Sequence, residues 1–128
     1  MTTVHPALSY ELYPPRSHAS CDSLLKTITE LEQTNPDYVS VTYSGDAQRR
    51  QKTLALLDHL VHETSLNPLA HLICVGHSVA DLERSVRLIL GLGVRGFLAL
   101  RGDIPPENTR PLELPFARYL VELIRRVE

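Results

Sequence analysis

The stretch AHLICV, residues 70–75, decides the fold class. It follows Asn67-Pro68, and apart from His71 its side chains are apolar. An almost unbroken apolar run of this kind is typical of a strand that is covered on both faces in a parallel sheet. Because parallel strands need long crossover connections, usually helices, the sequence around this stretch should alternate strands with helices.

Strand-like and helix-like patterns alternate on both sides of this stretch. The predicted strands are LSYELY (8–13), DYVSVTYS (37–44), AHLICV (70–75) and GFLALRG (96–102). Apolar residues repeat at helical spacing after each strand, in four sets: Leu24, Ile28 and Leu31; Leu54, Leu57 and Val61; Leu82, Val86 and Ile89; Leu120, Leu123, Ile124 and Val127. The first helix is expected from Asp22 to Asn35-Pro36. A proline-rich loop is expected from Ile104 to Pro115.

The third helix has the clearest boundaries. Ser78 with Asp81 resembles a capping box, and Gly91 and Gly93 end the apolar pattern. Successive units recur at roughly 25 to 35 residues, the length that a right-handed βαβ crossover needs. The sequence therefore predicts an α/β fold with consecutive parallel strands side by side.

Four such units make about half of a barrel, since a closed eight-unit barrel takes ~250 residues. We expect residues 1–128 to form a single domain, a parallel (βα)4 half of a TIM-type (β/α)8 barrel. Four open strands would expose two apolar edges. Three explanations stay open: the sequence is a fragment, two halves associate, or the sheet is covered in some other way.

Composition excludes several function classes. An apolar fraction of 43% with 22% charged residues is typical of a packed domain. A net charge of −2 provides no broad attraction for nucleic acid or anionic membranes, and the sequence has no signal peptide or membrane span, so we expect a cytoplasmic protein. We read Cys21 and Cys74 as free thiols, and because the six histidines form no metal-binding pattern we expect no metal site.

Candidate functional residues lie at the carboxyl ends of the predicted strands, where parallel α/β folds bind ligands. The positions are Glu11, Thr42, Tyr43, Arg101, Gly102 and Asp103, and we add His71, which lies near the start of the third predicted strand. Glu11 either points into an enclosed interior, where loss of hydration favours the protonated acid, or faces the surface. Asp103 either bonds a ring NH beside the permissive Gly102 or caps a turn. His71 and Thr42 are by themselves also ordinary strand residues.

Four segments, YELYPPR, DYVSVTYS, PLAHLICVG and RGFLALRGDIPP, resemble in order and spacing the strand signatures of the methylenetetrahydrofolate reductase family. The resemblance covers nearly the whole chain. It implies an eight-unit barrel holding FAD, which takes a hydride from NADH or NADPH and reduces 5,10-methylenetetrahydrofolate to 5-methyltetrahydrofolate in one-carbon and methionine metabolism. The absence of the GxGxxG and GxxxxGK[ST] motifs argues against the commonest nucleotide-binding folds.

The resemblance also implies roles for single residues. Glu11 matches the proposed proton donor to the folate, and Asp103 matches the aspartate beside the flavin that also contacts folate. The flavin-contacting positions are matched by Thr42, Tyr43, His71, Arg101, Gly102, Asp103, Phe116 and Ala117. Phe116 keeps the ring but lacks the hydroxyl of the family's tyrosine, while Ser44 and Ile73 replace a family glycine and threonine.

Half of the family's cofactor site comes from later strands. We therefore expect a homo-oligomer or a complementary half-barrel chain as partner. The alternative function is a truncated or split half-barrel that is inactive alone and serves as a folate- or flavin-binding or interaction module. Bound yellow chromophore would separate the enzyme from these alternatives.

Overall fold

The computed structural model describes residues 6–43, 47–103 and 116–128, in which strands and helices alternate. The strands are β1 Ser9–Leu12, β2 Tyr38–Tyr43, β3 Pro68–Ile73 and β4 Gly96–Leu100. The helices are α1 His18–Glu32, α2 Ala47–Glu63, α3 Val79–Gly91 and α4 Ala117–Val127. The predicted α/β class and the half-barrel of four βα units are confirmed. The loop expected from 104 to 115 and the Ser44 position lie outside the described residues.

The strands form one parallel sheet in the order β1-β2-β3-β4. In its register Leu12 lies opposite Val41, Val41 opposite Ala70, and His71 opposite Leu98. Consecutive units are therefore neighbours, as the short right-handed crossovers predict.

The helices cover one face of this sheet. A single core joins alternate strand residues such as Val39, Val41 and Ala70 with the buried faces of all four helices. Along β3 the residues alternate between buried and partly exposed, with Leu69, His71 and Ile73 on the less covered face. The expectation that β3 is covered on both faces is thus wrong for the described residues, because same-handed crossovers place every helix on the same side.

Two helices differ from the sequence pattern, and the third agrees with it. Helix α1 begins at His18 rather than Asp22, because Ser17 caps it by accepting a hydrogen bond from the Ser20 backbone N–H at 3.1 Å. Helix α2 buries Thr53, Leu56, Leu57 and Leu60, whereas the predicted Leu54 and Val61 lie at the margin of its buried face. Helix α3 has the predicted cap, since Ser78 Oγ accepts from Asp81 N–H at 3.1 Å.

Among the described residues, no helix is long and apolar enough to cross a membrane, and no group of three potential metal ligands is found. Cys21 and Cys74 are free thiols, and burial raises the pKa of the Cys74 thiol.

Candidate active site

Three polar side chains meet on the uncovered face of the sheet, toward the carboxyl ends of neighbouring strands. Thr42 Oγ1 donates a hydrogen bond to Glu11 Oε1 at 3.0 Å. Its oxygen also lies 3.3 Å from His71 Nδ1, and His71 Nδ1 lies 3.7 Å from Glu11 Oε1. The parallel register places Thr42 directly beside His71, with Glu11 one strand further out. We call these residues the Glu11–Thr42–His71 cluster.

The hydrogen-bond directions assign the protons of the cluster. A threonine hydroxyl has one hydrogen, which Thr42 donates to Glu11, so Thr42 Oγ1 acts as the acceptor for His71. A neutral His71 ring with its proton on Nδ1 fits this arrangement, and its Nε2 is then an acceptor. Since Glu11 Oε1 accepts a hydrogen bond, a proton held by this carboxyl group resides on Oε2.

The second ring nitrogen of His71 is buried and has no hydrogen-bond partner in the part of the chain that the structure describes. Buried polar atoms normally have hydrogen-bond partners, and exceptions often mark a place where a ligand or water binds. The backbone of Thr42, the neighbour of His71 in the sheet, is held in place. The buried Thr53 Oγ1 donates a hydrogen bond to the Thr42 carbonyl at 3.0 Å and so fixes the end of β2.

A cleft of about 580 Å³ connects His71 with the end of β4. Its lining comprises His71, Ile73, Val75, Leu100, Arg101, Gly102 and Asp103. Backbone bonds of 2.9 Å, from Cys74 N–H to the Leu100 carbonyl and from Val75 N–H to the Arg101 carbonyl, extend the pairing beyond both strands. The residues predicted at the ends of β3 and β4 therefore share one cleft.

Gly102 forms part of the wall of this cleft, where its backbone lies close to the side chain of Ile73. It has φ of +85°, and a Cβ there would collide with the side chain of Ile73. A side chain at this position would be strained and would fill the space over β3. The glycine thus leaves room for a flat ligand against the backbone.

Tyr43 lies on the opposite face from Thr42, because side chains alternate along a strand. Its ring is buried under the helices, where the Arg50 guanidinium lies 5.8 Å from the ring centre and Ser85 Oγ lies 3.4 Å from the phenol oxygen. Arg50 also contacts His77 Nδ1 at 2.7 Å. Burial, together with this guanidinium, lowers the pKa of His77. Of Tyr43, only the backbone can contribute to the cleft.

Phe116 and Ala117 stand apart from the residues above. Phe116 precedes α4, has an exposed ring, and contacts Arg118 and Tyr119, with the two rings 6.1 Å apart. The flavin-stacking role that the resemblance implies for this pair stays a prediction.

The side chain of Glu11 is more exposed than the interpretation that places it in an enclosed interior requires. Its side chain is 43% exposed, whereas that of His71 is 14% exposed. The flanking Tyr10 and Leu12 pack toward the helices, so they cover the other face of the sheet. The described residues therefore do not form an enclosed interior around Glu11.

A second cleft, of about 390 Å³, was not predicted from the sequence. It is lined by Tyr13, Pro14, Pro15, Arg16, Thr42, Arg49, Lys52 and Thr53. The sequence does carry a signal for this cleft: the basic residues Arg16, after the first strand, and Arg49 and Lys52, at the start of the second helix. It was missed because each is an ordinary surface residue by itself.

A parallel βα sheet with polar side chains toward the carboxyl ends of its strands is the arrangement found on the ligand-binding side of (β/α) barrels. Comparison with known proteins then specifies the family. The family model described as methylenetetrahydrofolate reductase matches residues 1–128, and the chain belongs to this family.

Named relatives agree with this assignment. The chain is 32% identical over 120 residues to 5,10-methylenetetrahydrofolate reductase of Escherichia coli (strain K12), covering 94% of this chain and 40% of that protein. It is 28% identical over 119 residues to the protein of the same name from Buchnera aphidicola subsp. Schizaphis graminum, covering 93% and 40%. It is 23% identical over 99 residues to methylenetetrahydrofolate reductase (NADH) 1 of Zea mays, covering 77% and 17%. The chain spans about two fifths of the length of the bacterial relatives.

Proposed function

We propose that this chain supplies the first half of the active site of a flavin-dependent methylenetetrahydrofolate reductase, in cytoplasmic one-carbon and methionine metabolism. The reaction is reduction of 5,10-methylenetetrahydrofolate to 5-methyltetrahydrofolate with NADH or NADPH. FAD, when bound, accepts the hydride from the nicotinamide and delivers it to the folate. The observation that carries the proposal is the Glu11–Thr42–His71 cluster, held at the strand ends of a chain that belongs to this family.

The residues at the end of β3 and β4 fit a flat heteroaromatic ring with NH and carbonyl edges. His71 Nε2 is buried without a partner among the described residues and can accept a hydrogen bond from a ligand. Gly102 leaves the backbone open to close approach, and Asp103, which lines the same cleft, can accept a ring NH. Arg101 adds a cation at the same wall. A flavin ring offers the complementary groups.

Glu11 is the group that we expect to donate a proton to the folate. Opening of the folate's five-membered ring leaves a nitrogen that must be protonated, and a carboxylic acid within hydrogen-bond reach performs this step as a general acid. With Oε1 bonded to Thr42, the transferable proton sits on Oε2. Thr42 and His71 keep the carboxyl group in position.

The sheet face that carries this cluster needs a cover. It presents Leu98 and Leu100, which are 43% and 41% exposed, and β1 and β4 are the edges of the described sheet. We propose that four further βα units complete the barrel, supplied by later residues of a longer polypeptide, by a second copy or by a complementary chain. Two copies related by a two-fold axis along the barrel would pair each β4 with the partner's β1, with all strands parallel. The second candidate function, an inactive interaction module, rests on this same uncovered face.

The test is a purified chain with Glu11→Gln as the variant. Where the barrel is completed and a full flavin site forms, a yellow flavin spectrum is expected, together with flavin reduction by NADH or NADPH that persists in Glu11→Gln while folate reduction is mostly lost. The amide preserves shape and hydrogen bonding but cannot donate the proton. Equal loss of both half-reactions would exclude the proton-donor role, and a colourless chain that stays inactive with folate and NADH would favour the interaction module.

A further inference from the structure

The cleft between the β1–α1 loop and the start of α2 is a concave basic surface next to the cluster. Pro14 and Pro15 form one wall, and their rings restrict the backbone. On the opposite side the first turns of α2 present Arg49 and Lys52. Arg16 follows the two prolines. The cleft thus lies between two well-defined elements.

Its charge differs from that of the chain as a whole. The chain has a net charge of −2, yet three cationic side chains and no acidic side chain are among the described residues that line this cleft. In the described part of the chain, Arg16 and Lys52 have no carboxylate within ion-pair distance. A concave surface with one sign of charge concentrates ligands of the opposite sign.

We propose that this cleft binds an oxyanion, either phosphate or carboxylate, of a ligand whose reacting end contacts the Glu11–Thr42–His71 cluster. Arginine binds planar oxyanions through two parallel N–H bonds, and lysine adds a point charge. The dipole of α2 places partial positive charge at the same end. The inference that the ligand continues to the cluster rests on the proposed function.

Thr42 links the two sites. Its side chain belongs to the cluster through the bonds to Glu11 and His71, and the same residue lines the basic cleft. A ligand that reaches Glu11 can therefore extend over Thr42 without leaving the surface of the sheet. Two parts of the proposed substrates carry oxyanions: the diphosphate of a nicotinamide dinucleotide and the glutamate carboxylates of a folate.

The experiment is a titration of the ¹⁵N-labelled full chain with two probes, sodium pyrophosphate and γ-linked triglutamate, at constant ionic strength maintained with sodium chloride. Saturable amide shifts centred on Arg16, Thr42 and Lys52 are expected. Pyrophosphate binding alone would identify the phosphate source, triglutamate binding alone the carboxylate source, and binding of both a general oxyanion site. Shifts that sodium chloride reproduces, or no saturation with either probe, would overturn the proposal.

Matched variants separate a site from general charge. Arg16→Gln and Lys52→Gln should each weaken binding by roughly 3- to 10-fold, as expected for partly exposed charge-assisted contacts. Arg95→Gln, just before β4 at the opposite end of the sheet, and Lys26→Gln, on exposed α1, remove the same charges elsewhere and should leave binding within about twofold. Equal weakening in all four variants would refute the site.

The failure of this inference is distinguishable from failure of the proposed function. The probes need neither flavin nor turnover, so their binding is measured independently of catalysis. Reductase activity without probe binding would refute only the proposed oxyanion site. Probe binding by a chain that never reduces folate would count against the proposed enzyme function and would still support the oxyanion site. Thermal unfolding by circular dichroism shows whether each variant is folded.

Discussion

Replacing Thr42 with valine removes one hydroxyl from the centre of the candidate site and little else. Valine keeps the β-branched shape and the strand preference of threonine. The Thr42 carbonyl still accepts the hydrogen bond from Thr53, because that bond uses the backbone. What disappears is the donor to Glu11 and the acceptor for His71. The change therefore tests the cluster rather than the strand.

The magnitude follows from the two bonds that are lost. The bond to the Glu11 carboxyl group is solvent-exposed, so its net contribution is about 1 kcal/mol or less. The bond with His71 is partly buried, and losing it leaves Nδ1 with only the longer contact of 3.7 Å to Glu11 Oε1 among the described residues. A total loss of about 1 to 2 kcal/mol is expected. For a chain of this size that lowers the Tm by roughly 4 to 8 °C.

Two measurements check this expectation. Urea unfolding gives the change in the free energy of unfolding, with Thr29→Val as the control. The exposed Thr29 hydroxyl donates to the Leu25 carbonyl within α1, so its loss should change stability by less than ~0.5 kcal/mol. Two-bond ¹H–¹⁵N correlation spectra at pH 8 report the His71 tautomer. We expect the Nδ1–H form in the wild type and a loss of that preference in Thr42→Val. A wild-type His71 that is protonated on Nε2 would refute the assigned hydrogen-bond directions.

Three further results are expected. Asp103→Asn should raise the flavin reduction potential, since removing a nearby anion favours the reduced anionic flavin; spectroelectrochemistry showing no rise would place Asp103 away from the ring. Because burial and Arg50 lower the pKa of His77 in the folded chain, the unfolded chain binds more protons than the folded chain below pH 6.5, and the free energy of unfolding falls as the pH drops below this value. His77→Gln should therefore weaken the pH dependence of the urea midpoint between pH 8 and pH 5. Parallel curves for the wild type and the variant would contradict this. Leu57→Ala should cost about 2 to 5 kcal/mol, because Leu57 is fully buried, while Leu88→Ala, at an exposed position, should stay within ~0.5 kcal/mol by urea unfolding.

Strand order and the cap of α3 could be predicted from the sequence because both depend on local signals. The crossover lengths leave only neighbouring parallel strands, and Ser78 with Asp81 specifies where α3 begins. The face of α2 could not be assigned in the same way. Leu54, Leu57 and Val61 compete with Leu56 and Leu60 for one helix face, and only tertiary packing decides between overlapping stripes.

The candidate site was predictable where it depends on register and unpredictable where it depends on orientation. The sequence predicts Glu11 and Thr42 at strand ends and His71 near the start of the third strand. The three meet because their strands are adjacent and the register sets Thr42 beside His71. Tyr43 was grouped with Thr42, yet adjacent strand residues point to opposite faces. The direction of the Thr42 hydroxyl and the unpartnered His71 Nε2 needed coordinates.

The uncovered sheet face connects assembly with chemistry. The described residues leave Glu11 43% exposed and leave Leu98 and Leu100 beside the same open face. A cover that buries the two leucines would also exclude water from the far side of the cluster. The hydrophobic free energy of closing the barrel and the exclusion of water from the Glu11–Thr42–His71 cluster are therefore coupled, and a chain with the cover in place should be both more stable and more active than one without it.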